Sequence, residues 1–347
     1  MTIVESTRPV TGGVDTHADI HVAAAVDGNG GVLGVESFAT TPAGYAQLHG
    51  WLAGFGFVER VGVEGTGAYG AGLARHLRGR GMVVIEVDRP NRQERRRNGK
   101  SDELDAVEAA RAALSGRASG VAKSADGDVE AIRALLVVRR SGRNVRIKYL
   151  NQIRHLGFTA PDELRERLRD VHRDHLARTA ASLRPTAGSD TVLHATKLAI
   201  ATLGRRVLAL EADAERLDHE LEKLVQRCAP SLLEIYGVGI NTAATLLVAA
   251  GDNPHRLKNE AAFAHLCGVA PLPASSGKLQ QRFRLNPGGN RQANHALWRI
   301  VFTRMSSDER TRKYVARRAA EGKTIREIMR VLKRYVAREI YPHLVRD

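Results

Sequence analysis

Four carboxylates in the first third of the chain have the types and settings of a divalent-metal centre: Asp15, Glu64, Asp102 and Asp105. Asp15 lies in Gly12-Gly-Val-Asp-Thr-His17 at the start of a strand-like run, and Glu64 closes the apolar stretch Val61 to Val63 just before Gly65-Thr-Gly67. The other two belong to Lys100-Ser-Asp-Glu-Leu-Asp-Ala106, where Ser101 can cap a helix and i, i+3 spacing sets both acids on one face. A site of carboxylates without sulfur or imidazole selects a hard cation, Mg²⁺ or alternatively Mn²⁺. Two such ions roughly 3.5–4 Å apart can stabilise both the attacking and the leaving oxygen of a phosphodiester. Taken singly, each acid is also an ordinary strand-end or first-turn residue.

The elements expected to position these acids follow from the flanking pattern. Residues 12–26 interleave Val, Ile and Ala with polar residues, Asp27-Gly-Asn-Gly-Gly31 turns the chain, and Val32 to Phe38 returns it as a hairpin. Thr41-Pro42 opens a helix to about Gly54; a strand over 59–64, a helix over 68–80, a strand over 82–87 and a helix over 101–116 follow. Strands in a meander followed by alternating helices and strands predict a mixed sheet covered by helices. Its strand ends would bring Asp15 and Glu64 together under the Asp102 helix. The order also matches an RNase H-like, RuvC-type domain.

Composition is consistent with a polyanionic substrate. The 347 residues suffice for two or three domains. Lys and Arg total 53 against 38 acids, a formal charge of +15, which favours nucleic acid through counterion release. No apolar run approaches the roughly 18 residues of a membrane span, and Met1 to Val10 lacks the form of a signal peptide. A cytosolic protein is expected, with no membrane partner. Two cysteines, Cys228 and Cys267, exclude a disulfide framework and a cysteine-based zinc site. His17 and His21 come nearest to a ligand pair, but on one face of a strand they read as ordinary polar residues.

From about Asp128 to Cys228 the chain turns to long charged helices. Leu203, Val207, Leu210, Ala214, Leu217, Leu221, Leu224 and Cys228 repeat at 4, 3, 4, 3 spacing, the mark of a coiled-coil seam. Its partner, intramolecular or intersubunit, is expected from the helix near Val129 to Leu156, and the segment is expected to dimerise. Further on, Leu232 to Tyr236, the turn Gly237-Val-Gly239 and a helix beginning near Asn241 form a helix-hairpin-helix pattern, whose glycines let backbone N–H groups approach phosphate.

Basic clusters mark candidate nucleic-acid contacts. Arg89 to Lys100 holds six basic residues and one acid, Arg95, Arg96, Arg97 and Lys100 among them. Asn98-Gly-Lys-Ser101 is not a P-loop, because Glu94 stands where its first glycine is needed. Arg139, Arg140, Arg143, Arg146 and Lys148 form a second cluster that cannot all share one helix face. Lys278, Arg282, Arg284 and Arg291 form a third, around the tandem serines Ser275 and Ser276.

Three segments near the end, Gly268-Val-Ala-Pro271, Ser275-Ser-Gly-Lys278 and Asn286-Pro-Gly-Gly-Asn-Arg291, together with the acidic motifs in order, resemble the DEDD transposases of insertion-sequence family one-hundred-and-ten. The resemblance covers nearly the whole chain. It implies a RuvC-like domain over 1–122, a helical coiled-coil region over 123–228 and a mainly helical transposase domain over 229–347. It further implies Asp15, Glu64, Asp102 and Asp105 as the metal tetrad, and Ser276 as nucleophile with Ser275 as the alternative. Excision and insertion without a separate energy source, a guide non-coding RNA, donor and target double-stranded DNA, and a homo-oligomer (dimer or tetramer) that combines acids and serine from different subunits are further implications. A junction-resolving endonuclease using the same acids and water is the alternative. Residues 310–347 read as a basic helical tail of unassigned role.

Overall fold

The computed structural model describes residues 8–87, 101–118, 120–185, 188, 190–274, 283–286 and 288–345. Its contacts divide the chain into two units, Met1–Gly127 with Ala250–Asn259, and Asp128–Ala249 with Glu260–Asp347.

The first unit is built on a six-stranded sheet in the order β3-β2-β1-β4-β5-β6. Strands β1 (Pro9–Thr16), β2 (Ile20–Asp27) and β3 (Val32–Ala39) form an antiparallel meander. β4 (Phe57–Glu64) and β5 (Val83–Val87) add in parallel to β1, and the short β6 (Gly120–Val121) runs antiparallel to β5. Residues 12–26, expected as a single run, therefore divide into two strands around a turn at 17–19. That turn carries no glycine or proline. It is held instead by Thr40, whose backbone N–H donates to the Asp19 carbonyl at 2.9 Å. The next turn is the one expected: Asp27 Oδ1 accepts from Asn29 and Gly31, and Gly30 takes a positive φ of 83°.

Helices α1 (Pro42–Gly54) and α2 (Ala71–Gly79) cover one sheet face. Leu48, Leu52, Leu73 and Leu77 are fully buried there with Val14, Val61 and Val63, each leucine contributing about 1.5–3 kcal/mol. The other face carries α3 (Asp102–Leu114), whose Ala106 and Val107 pack with Val22 and Ala24. Here glycine is required. A Cβ on Gly13 would stand 2.1 Å from Ala110 N and 2.2 Å from Ala106 O, and one on Gly62 would stand 2.5 Å from Ala109 O. Alanines on the helix and glycines on the strands thus let α3 lie directly on β1 and β4.

In the second unit, α4 (Asp128–Phe158) packs along the 38-residue α7 (Thr191–Cys228), the helix that carries the heptad pattern. Ion pairs Asp128–Arg227, Arg139–Asp218 and Arg146–Glu211 climb one helix while descending the other, so the pair is antiparallel. The seam thus finds a partner within its own chain. At one end α5 (Asp162–Arg169) and α6 (Arg173–Ala181) close a core of Leu150, Ile153, Leu164, Leu176 and Ile200. Along the middle, Leu210, Ala214 and Leu217 are only half-buried, and Val137 and Val138 are 54% and 58% exposed.

The remainder of this unit comprises α8 (Pro230–Leu233), α9 (Ile240–Ala250), α10 (Glu260–Leu266), the ribbon β7 (Pro271–Pro273) and β8 (Phe283–Leu285), and α11 (Arg291–Ser307), α12 (Glu309–Ala320) and α13 (Ile325–Val345). Ile328, Leu332, Val336 and Ile340 of α13 are buried. The basic tail is therefore a structural part of the unit. Among the described residues, no helix is long and apolar enough to cross a membrane.

Candidate metal centre and basic clefts

Asp15 is the penultimate residue of β1, and Val14 pairs in register with Val63 of parallel β4, so Asp15 and Glu64 close adjacent strands at the same sheet edge. Side chains alternate along a strand. Gly13 and Gly62 face α3, so Asp15 and Glu64, two residues further on, face it too. Thr16 ties the strand ends together by donating from Oγ1 to the Glu64 carbonyl at 2.8 Å. The first turn of α3 supplies Asp102 and Asp105, with Ser101 Oγ accepting from Leu104 N–H at 3.2 Å. The expected Ser101 cap is thus formed.

Ligand atoms of Asp15, His17 and Asp102 all lie within 4.8 Å of one another. His17 Nε2 stands 3.1 Å from Asp15 Oδ2 and 3.4 Å from Asp102 Oδ2. Asp105 is buried beside them. Burial holds the Asp15 carboxyl above its usual range; the charge of His17 opposes this, while those of Asp105 and Asp102 add to it. Three carboxylates crowded at a half-closed edge form a potential well for a cation, and their oxygens with one imidazole suit a divalent ion.

His17 is the residue that the strand pattern misplaced. It sits in the turn after β1, whereas His21 is a buried β2 residue stacked on Tyr45 at a centroid distance of 5.7 Å. The two histidines do not act as one strand face. A turn at Ala18-Asp19 was the missing signal, and of the two only Asp19 is a turn-favouring residue, with no glycine or proline beside it.

The arginines of the middle cluster divide by role. Arg139 is committed to a two-bond pair with Asp218, both at 2.8 Å, and Arg146 pairs with Glu211. Arg140 donates to Thr245 Oγ1 at 3.0 Å, and burial lowers its pKa. All three of Arg139, Arg140 and Arg143 line a cleft of about 530 Å³, together with Arg291 and Arg299 of α11 and Asn241 and Thr242 at the start of α9. Among the described residues Arg143, Arg291 and Arg299 form no ion pair. Arg299 had no place among the sequence candidates, because only the packing of α11 brings it here.

The two turn glycines also differ. Gly237 has φ 83° and lies against Ile300 of α11, while Gly239 is exposed with nothing within 4 Å of a Cβ position. The helix before this turn, α8, is a single turn of four residues.

Arg284 lines a separate cavity of about 590 Å³ with Arg330, Lys333 and Arg334 of α13. Beside it the chain crosses itself closely: Asn294 Nδ2 donates to the Cys267 carbonyl at 2.9 Å, and a Cβ on Gly289 would stand 2.3 Å from Gly268 Cα. Asn290 Oδ1 caps α11 by accepting from Gln292 and Ala293, both at 3.0 Å. These interactions fix the base of the β7–β8 ribbon. Ser275, Ser276, Lys278, Arg282, Arg95, Arg96, Arg97 and Lys100 lie outside the described residues.

Comparison with known proteins defines the class. An IS110-type DEDD family model, described as "Transposase", matches residues 12–156, the stretch holding all four acids. A second, described as "Transposase IS116/IS110/IS902 family", matches 229–316, the stretch holding the serines and the Gly-Gly-Asn segment. The chain belongs to the IS110 family of insertion-element transposases. Among curated relatives, it is 32% identical over 129 residues to an uncharacterised 43.6 kDa protein of insertion element IS110 from Streptomyces coelicolor, covering 37% of this chain and 32% of the relative. It is 25% identical over 181 residues to an uncharacterised 42 kDa protein of insertion element IS900 from Mycobacterium paratuberculosis, covering 48% and 45%. The matched regions thus span less than half of either relative.

Proposed function

We propose that this protein is a DNA transposase that cuts and rejoins the strands of a mobile insertion sequence. The convergence of Asp15 and Asp102 from a strand end and a helix start, within the DEDD match, carries this reading. In it, the first unit is an RNase H-like catalytic domain. Asp15, Glu64, Asp102 and Asp105 hold Mg²⁺ or Mn²⁺, which supplies charge neutralisation at the scissile phosphate. Ser276, with Ser275 as the alternative, attacks the phosphorus; the serine gives up its proton, the leaving strand takes one up, and a phosphoserine ester replaces the broken phosphodiester. The reverse attack by a strand hydroxyl rejoins DNA with no other energy source. A three-part division at residues 122 and 228, cytoplasmic action, a guide RNA and donor and target duplexes as partners belong to the same reading.

Trapping tests the nucleophile. A nicked duplex of the element end should yield a protein–DNA adduct that survives denaturation and maps to Ser276 by mass spectrometry, and Ser276→Ala should lose it. Full-rate cleavage by Ser276→Ala, with no adduct at either serine, would support the water-using endonuclease instead. RNA from the element's flank, recovered and sequenced after purification, would support guidance; random DNA alone would count against it.

The cleft between α4, α9 and α11, which Arg139 and Arg140 also line, is the proposed nucleic-acid contact, with Gly239 close to it in the chain and Arg284 in the second cavity. Arg143→Ala, Arg291→Ala and Arg299→Ala combined should flatten the slope of log affinity against log salt by about 3, near 0.9 for each phosphate that is no longer neutralised. Arg146→Ala, which removes a helix–helix pair, should leave the slope unchanged. Filter binding across a salt series gives both values.

The half-buried middle of the α4–α7 pair, with Val137 and Val138 exposed, supports a homo-oligomer, dimer or tetramer, joined through this helical arm. Val137→Glu with Val138→Glu should convert it to a monomer by light scattering while leaving thermal unfolding little changed. An unaltered mass would place the oligomer interface elsewhere.

A further inference from the structure

We infer that His17 is a nitrogen ligand of the metal centre, making it a mixed imidazole–carboxylate site that favours Mn²⁺ over Mg²⁺ more than carboxylates alone would. This rests on the metal-centre reading above. Two atoms bound cis on an octahedral ion at about 2.1 Å lie roughly 3 Å apart. His17 Nε2 is 3.1 Å from Asp15 Oδ2 and 3.4 Å from Asp102 Oδ2, close to that separation on both sides. All three ligand atoms fall within 4.8 Å, so one ion can reach the whole set with small side-chain adjustments.

The backbone holds the imidazole there. His17 follows the last residue of β1, Thr16, whose hydroxyl is tied to the Glu64 carbonyl. The turn after it is fastened to the end of β3 by Thr40, which donates from N–H to the Asp19 carbonyl and from Oγ1 to the His17 carbonyl at 3.4 Å. The side chains of His17 and Asp102 are 44% and 47% exposed, while that of Asp15 is 9% exposed against 7% for the whole residue. The open side leaves positions for water or a phosphate oxygen, as a catalytic ion requires. Imidazole binds the transition ions better than it binds Mg²⁺, which keeps its waters and prefers oxygen. The carboxylates keep the site usable by Mg²⁺, and the nitrogen tilts its preference.

Electron paramagnetic resonance of Mn²⁺ on the full-length protein reads the ligand directly. Wild type should bind Mn²⁺ and show ¹⁴N modulation in the pulsed spectrum. His17→Gln should lose the modulation and bind Mn²⁺ about tenfold more weakly, while Mg²⁺ affinity, read by competition, changes less than about twofold. The wild-type spectrum needs no variant, so it stands even if His17→Gln folds poorly. Mn²⁺ that binds wild type, is lost in Asp15→Asn and shows no nitrogen coupling would overturn the assignment of His17 while leaving the centre intact. So would nitrogen coupling that persists in His17→Gln. Wild type that binds no Mn²⁺ sensitive to Asp15→Asn would overturn the metal centre itself.

Discussion

Asp15→Asn should lower DNA cleavage about 10²–10³-fold, the scale for losing one preorganised electrostatic group, while making the metal-free protein more stable. The two effects have one cause. Asp15 is 7% exposed and crowded by Asp102 and Asp105, and its carboxyl is held above the usual range chiefly by burial. A carboxyl whose folded pKa is raised contributes stability at low pH that is lost as pH rises through that value. At neutral pH the ionised side chain therefore opposes folding, and a neutral amide of the same shape removes the opposition. Thermal unfolding without metal should show a Tm above that of wild type. Added Mn²⁺ should then raise the Tm of wild type and leave that of the variant unmoved. A variant that is both inactive and less stable would show that Asp15 holds the fold rather than a cation.

Gly13→Val is the second large effect, and it tests the close seat of α3. The first added carbon falls 2.1 Å from Ala110 N, and backbone cannot give way as a flexible side chain does. The helix must lift, taking Asp102 and Asp105 with it. Destabilisation of about 3–5 kcal/mol is expected, the range of severe overpacking, together with loss of Mn²⁺ binding in whatever protein remains folded. Gly12→Ala is the control on the opposite face. Its nearest neighbour is Leu52 Cδ1 at 3.0 Å, the end of a side chain that can turn aside, so a cost nearer 1 kcal/mol is expected. Equal losses at the two positions, by chemical denaturation, would mean that α3 does not bear on β1 as described.

Much of the metal edge was legible in the residues alone. An apolar run ending at Glu64 and a serine ahead of Asp102 mark a strand end and a helix start through local signals, and the mixed sheet follows from the order of elements; Asp15, expected at the start of a strand, lies instead near the end of β1. What lay hidden depended on interactions between distant segments. The turn at 17–19 is made by Thr40 rather than by glycine or proline, so β1 and β2 read as one run and His17 seemed to belong to a strand. Arg139 and Arg143 are alike in sequence and both line the cleft; only Asp218 across the helix pair gives Arg139 an ion pair that Arg143, among the described residues, does not have. The heptad pattern left open whether the helix near Val129 to Leu156 would pair with it from the same chain or from another subunit, because hydrophobic spacing says which face is covered and not from which chain.

The pairing of α4 with α7 limits how this chain can change length. Arg139 meets Asp218 and Arg146 meets Glu211, so a step of seven residues forward on one helix matches seven backward on the other. Removing a few residues from either alone would rotate its apolar stripe away and mismatch every rung beyond the cut. Shortening or lengthening is tolerated only as whole heptads taken from both strands of the hairpin at once, which makes its reach a quantity that evolution or an engineer can adjust in steps of about 10 Å, seven residues at 1.5 Å each.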